Sequence, residues 1–149
     1  FVEQRQRLLQ LLEVEHAQLP RGGRIILGGL SQGAALALDL MLHAPSHIDS
    51  IAGVFCARGM MQKETFWNLP DEHVRNRARS CQVQCFHGKK DQIVPWLLAR
   101  KSYAWLEEQG FAFEFHLESR LCHSKESYLE CQRVASFVSQ ALLGGHAGP

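Results

Sequence analysis

Arg24 to Gly33 reads R-I-I-L-G-G-L-S-Q-G, and the fold turns on this stretch. Its apolar part is too short for a helix and suits a strand buried on both faces. Residues 32–43, QGAALALDLMLH, are rich in helix formers, and Pro45 ends that run. A strand therefore passes into a helix through Gly29-Leu30-Ser31-Gln32-Gly33, a G-x-S-x-G string. In this setting the string marks a nucleophile elbow, a sharp turn that lifts a serine above the sheet. Side chains two positions either side of the serine should clash, and Gly29 and Gly33 are expected to relieve this. Ser31 would then sit at a helix N-terminus, where developing negative charge is favoured. The backbone N–H of Gln32 would face an oxyanion. The plainer alternative is a glycine-rich turn with a helix-capping serine.

Outward from the elbow, strand and helix alternate. Residues 1–18 have amphipathic helical spacing, broken by Pro20, Gly22 and Gly23. Ile48–Cys56, Cys81–His87 and Phe111–Leu117 are further strand-like runs, the last partly alternating and so nearer an edge. Helices are expected over about 95–109, closed by Gly110, and about 124–142, closed by Gly144 and Gly145. Such alternation means an α/β fold with a mostly parallel sheet flanked by helices. One domain is expected over 1–143, with a disordered tail at 144–149. The polar stretch 57–80 reads as an excursion over the sheet edge, without assigned elements.

Composition narrows the function classes. With 149 residues and 46% hydrophobic content, the chain can bury a core and is not disordered. A net charge of +1 gives no reason to expect nucleic acid or an anionic membrane as main partner. No apolar run is long enough to span a bilayer. Phe1 opens into a charged, helix-like segment with no signal peptide, and without a Met, so a fragment or processed product is expected. Cys56, Cys81, Cys85, Cys122 and Cys131 are odd in number and show no C-x-x-C spacing. Buried free thiols in a reducing cytoplasm are expected, with no disulfide framework and no zinc site.

A serine hydroxyl needs a base. In elbow-type hydrolases the order is Ser, then Asp or Glu, then His. Of the aspartates, Asp39 falls inside a helix, Asp49 starts a strand, and Asp71 lies in the polar excursion. Asp91 follows C-Q-V-Q-C-F-H-G-K-K, at the strand end where ligands gather in α/β sheets. His123 follows the last strand and precedes the final helix, and no other histidine is so placed. The plainer alternatives are a turn aspartate and a surface or helix-cap histidine. Lys89 and Lys90 read as a solvated turn. Met60, Met61, Phe66, Trp67 and Trp96 are candidates for an acyl pocket, each also explicable as packing. A mobile loop within 57–80 would cover the groove. No phosphate-loop pattern is present.

ILGGLSQGAALAL (26–38), CFHGKKDQIVP (85–95) and LCHS (121–124) together resemble the phospholipase/carboxylesterase family that contains the acyl-protein thioesterases. Members carry a G-F-S-Q-G elbow, an H-G-x-x-D-x-x-V-P acid loop and a His-Ser pair before the last helix. The resemblance implies an α/β-hydrolase fold with Ser31, Asp91 and His123 as nucleophile, acid and base. Leu30, Trp67, Val94 and Pro95 are the candidate substrate-binding residues. The implied substrates are acyl esters or thioesters, including S-acylated proteins and lysophospholipids, with no cofactor and no metal. The family's first strands and its L-H-G-x-G-D-type loop, which supplies a second oxyanion donor, have no counterpart here. A shortened chain with an uncovered sheet edge is therefore expected, and losing one such donor typically costs about 10²–10³ in rate. Arg120 stands where members usually have Gly, so a differently shaped loop ahead of His123 is expected. The rival reading is a non-catalytic hydrolase relic acting as a binding module.

Overall fold

Four apolar runs become one parallel sheet in the computed structural model, which describes residues 1–143. β1 (Ile25–Leu30), β2 (Ile51–Ala57), β3 (Gln82–Gly88) and β4 (Ala112–Glu118) pair side by side in chain order. Parallel neighbours need a crossover, and α2 (Gln32–His43), α3 (Asp71–Ser80) and α4 (Trp96–Glu108) supply one each. α1 (Val2–Gln18) precedes the sheet and α5 (Tyr128–Leu143) follows it. The expected tail at 144–149 lies outside the described residues.

Strand position follows hydrophobicity in β2 and β4 but not in β1, whose apolar run, expected to be buried on both faces, lies at an edge with no residue fully buried. Every residue of β2 is buried, as a central strand covered on both faces requires. β4, with its partial alternation, lies at one edge, and β1 lies at the other. Alternate residues feed opposite faces. Val54, Cys56, Val83 and Cys85 join Leu38, Met41, Tyr103 and Leu106 in the larger core, under α2 and α4. Phe55, Ala57 and Phe86 face the other way, onto Leu121 and Phe137 of the α5 side. Burying a phenylalanine such as Phe137 contributes about 1.5–3 kcal/mol.

β3, β4 and α4 lie within a residue of the sequence expectation, and larger differences fall at β2, at 57–80 and at α5. β2 starts at Ile51, because residues after Pro45 form a turn in which the Ile48 N–H donates to Pro45 O. Asp49 lies in a second turn just after it, ahead of the strand. The stretch 57–80 holds a short 3-10 turn, Lys63–Phe66, and the whole of α3. α3 buries only Val74 and Arg77, so it has no apolar stripe to mark it in the sequence. Its end signals are present, however: Asp71 and Glu72 in the first turn, Arg77 and Arg79 in the last. α5 starts at Tyr128, where the preceding Ser127 Oγ accepts the Glu130 N–H.

All strands run the same way, so the segments after β1, β3 and β4 emerge at one end of the sheet. That end carries Ser31, Asp91 and His123.

Candidate active site

Ser31 occupies the N-cap of α2 with φ 57° and ψ −117°, a backbone region that serine rarely adopts. Such a conformation costs on the order of 1–3 kcal/mol and persists only where the surroundings impose it. They do so here through the Ser31 N–H, which donates to Ala57 O at 2.8 Å. The Ser31 side chain makes no capping hydrogen bond. Its hydroxyl lies 2.9 Å from Nε2 of His123. The capping alternative therefore does not describe this serine.

Gly29 and Gly33 differ in what they do. A Cβ on Gly29 would fall inside the backbone of Gly33 and Ala34, so the strand can approach the helix start only with glycine there. A Cβ on Gly33 would meet nothing within 4 Å. The expected clash at Gly33 is thus absent, because its Cα hydrogen points into an open groove between α1, α2 and β1.

Asp91 is buried, and its carboxylate is fully engaged. Oδ1 accepts the N–H groups of Ile93 and Val94, at 2.9 and 2.8 Å. Oδ2 lies 2.8 Å from Nδ1 of His123. Burial alone would raise this carboxyl's pKa, but the Val94 amide, the His123 ring and the Ile93 amide outweigh it. The net shift is downward, so Asp91 is a carboxylate at neutral pH. An ionised carboxylate only accepts. His123 Nδ1 therefore carries the proton, and Nε2 is left to accept the Ser31 hydroxyl proton.

The loop carrying His123 closes over β3. A Cβ on Gly88 would run into the backbone of Leu121, and the Lys90 N–H donates to Leu121 O at 3.1 Å. Arg120 is exposed, and the loop still delivers the His123 ring to both partners. An open hollow of about 550 Å³, lined by Lys89, Lys90, Asp91, Ile93, Cys122 and His123 among others, adjoins the acid–base pair.

The remaining candidates divide. Gln32 is the first residue of α2, where helix N–H groups lack intrahelical partners. Leu30 is half exposed beside Ser31. Val94 gives its amide to Asp91 and packs on the larger core, and Pro95 caps α4. Trp67 is not brought to this site. Its neighbour Phe66 packs edge-on against Trp105, late in α4, and Thr65 O bonds His43, the last residue of α2. Ser31 and Asp91 lie at the opposite ends of those helices, roughly 15 Å away at 1.5 Å per residue. The segment 63–67 therefore covers the far end of the helices, not the serine. Gly59, where an added Cβ would stand 2.6 Å from Ser31 O, and Gly88 are among the contributors not expected from the sequence. Gly88 was visible in the H-G-K-K-D string, but Gly59 carries no local signal.

Serine, aspartate and histidine, in that order after strands of a parallel sheet, put the chain in the α/β-hydrolase class. The fold superposes on acyl-protein thioesterase 2 of Zea mays with a TM-score of 0.74 at 19% identity, over 94% of this chain and 65% of that one. A family model described as phospholipase/carboxylesterase matches residues 1–142, and the chain belongs to that family. Acyl-protein thioesterase 1 of Gibberella zeae is 30% identical over 87% of this chain and 52% of its own length. A probable carboxylesterase of Oryza sativa subsp. japonica is 30% identical over 97% of this chain and 58% of its own. The chain thus spans about half the length of the curated relatives it matches.

Proposed function

We propose that this chain carries a serine-hydrolase site for carboxylic esters and thioesters. The observation that carries the reading is Ser31, held in a strained turn, uncapped, with its hydroxyl at 2.9 Å from a histidine that is itself bonded to a buried carboxylate. Ser31 Oγ attacks the acyl carbonyl while His123 Nε2 takes its proton. The carbonyl oxygen becomes an oxyanion that the Gln32 N–H stabilises. His123 returns the proton to the departing alcohol or thiol, leaving an acyl-enzyme. Water, deprotonated by His123, then releases the acid and restores Ser31. Asp91 holds the ring in the working tautomer and stabilises its cation.

The names of the relatives favour acyl thioesters on proteins, or carboxyl esters, as the substrate class. Half-exposed Leu30 and the exposed Ile93 offer apolar surface for an acyl chain near the serine and the acid loop. Cys56, Cys81 and Cys85 are buried free thiols, whereas Cys122 and Cys131, expected to be buried too, are not; free thiols fit a reducing compartment such as the cytoplasm. No helix among the described residues is long and apolar enough to cross a membrane.

Intact-mass labelling with a fluorophosphonate tests the site, alongside Ser31→Ala. One adduct on the parent and none on the variant is the expected result. A parent that melts cooperatively but takes no adduct would overturn the assignment and leave a folded domain without hydrolase chemistry.

A further inference from the structure

Three segments carry the proposed triad, and one short stretch touches them all. It is Ala57-Arg58-Gly59, where the chain leaves β2. Ala57 O accepts the Ser31 N–H, and the Arg58 N–H donates to Phe86 O of β3, the strand that leads to Asp91, each at 2.8 Å. A Cβ on Gly59 would stand 2.6 Å from both Ser31 O and the Ala34 Cβ, so this stretch lies directly against the elbow.

The third contact is made by a side chain. Arg58 Nη1 donates to the carbonyl oxygens of His123 and Lys125, both at 2.6 Å, and Nη2 donates to Glu130 Oε1 at 2.7 Å. Arg58 is only 6% exposed, and its φ of 50° is one that a residue with a side chain adopts reluctantly. A buried guanidinium on strained backbone is a costly choice for a strand end. Its two Nη atoms go to backbone carbonyls of the histidine loop and to one acid on α5, while the buried Nε has no partner among the described residues. Neither the Ser31 hydroxyl nor the His123 ring is among its partners.

We propose that Arg58 is a positioning residue for His123. This rests on the Ser31–His123–Asp91 reading above. The loop is fastened to the acid segment at Leu121 by the Lys90 N–H. Arg58 fastens it again at His123 and Lys125, on the far side of Leu121. Glu130 holds the guanidinium in place, and its own N–H is bonded to Ser127 Oγ at the start of α5. With the carbonyl of residue 123 fixed, its imidazole spans Ser31 and Asp91. Released, the same backbone can rotate, and misplacement by about 1 Å costs up to roughly 10² in rate. A planar fork that grips two carbonyls and a carboxylate at once is a geometry that lysine cannot copy.

The test uses Arg58→Ala and Arg58→Lys in the full chain, with three readouts. These are the rate of fluorophosphonate labelling, the thermal midpoint, and the downfield proton NMR signal of His123 Nδ1–H bonded to Asp91. Arg58→Ala is expected to label about 10²-fold more slowly and to lose the signal through exchange. Arg58→Lys keeps the cation and the stem, and is expected to fold, to label about 10-fold more slowly and to broaden the signal. A folded Arg58→Ala with parent-like rate and signal would overturn the proposal. Should Arg58→Ala fail to fold, Arg58→Lys decides, and parent-like behaviour there would overturn it. A parent that takes no label but shows the signal would defeat the reading of Ser31 alone, and the variants' signals would still judge Arg58. A parent without the signal would defeat both.

Discussion

Asp91 and His123 are joined by a 2.8 Å hydrogen bond whose acceptor is also tied down by its own loop, through the amides of Ile93 and Val94. The acid segment therefore shapes itself around the carboxylate before the histidine arrives. Asp91→Asn keeps one carbonyl oxygen for those amides but presents an NH₂ to His123 Nδ1. The ring must then switch tautomer and point a proton, not a lone pair, at Ser31. Fluorophosphonate labelling is expected to fall by about 10⁴. Circular dichroism at neutral pH should remain that of the parent.

The two elbow glycines should respond oppositely to alanine. Gly29→Ala forces a methyl into the first turn of α2 and should destabilise by about 3 kcal/mol, or displace Ser31. Gly33→Ala places the methyl in open space inside a helix, where alanine is favoured over glycine by up to about 1 kcal/mol. Urea midpoints for the pair decide it. Equal losses in both variants would contradict the packing described for the turn.

Asp39 is set aside as the triad acid by its place in a helix, and the structure shows its use. Both its oxygens accept from Arg5 of α1, at 2.6 and 2.7 Å, and it is fully buried. Asp39→Ala leaves a buried guanidinium without its counter-charge and should cost about 3–5 kcal/mol. Adding Arg5→Met should recover most of that loss. A double variant no more stable than Asp39→Ala would show that the pair is not what joins α1 to α2.

The elbow was legible because its demands are local: an apolar strand, glycine at 29, then helix formers. Asp91 and His123 were legible through chain order, since parallel strands bring their C-terminal ends together. Contacts that depend on depth were not legible. Arg58 carries no local sign of its depth, which only its burial against His123 O shows. α3 hid behind a polar composition, because the chain buries an arginine there: Arg77 donates to Pro45 O at 3.0 Å. Trp67 drew attention as an aromatic in a polar stretch, yet its position is set by α2 and α4, which carry that stretch to their far ends.

His87 ties stability to pH. It is 1% exposed, its ring is stacked on Phe115 with centroids 6.2 Å apart, and its Nδ1 accepts the Gly88 N–H at 3.0 Å. Nε2 is buried without a hydrogen-bond partner among the described residues. Burial lowers its pKa, despite opposing contributions from the Gly88 carbonyl and Asp91. His43 shifts the same way, chiefly through burial. A lowered histidine binds fewer protons folded than unfolded between its folded value and the ordinary value near 6.5. Stability from these groups is thus complete above about pH 6.5 and falls as pH drops from there toward the folded values. Urea midpoints measured from pH 7.5 down to 5.5 should decline for the parent. His87→Phe keeps an aromatic ring against Phe115 but cannot titrate, so its decline should be shallower, with His43 accounting for part of what remains. Whatever the offset between the two proteins at pH 7.5, parallel declines would mean that His87 does not carry the dependence.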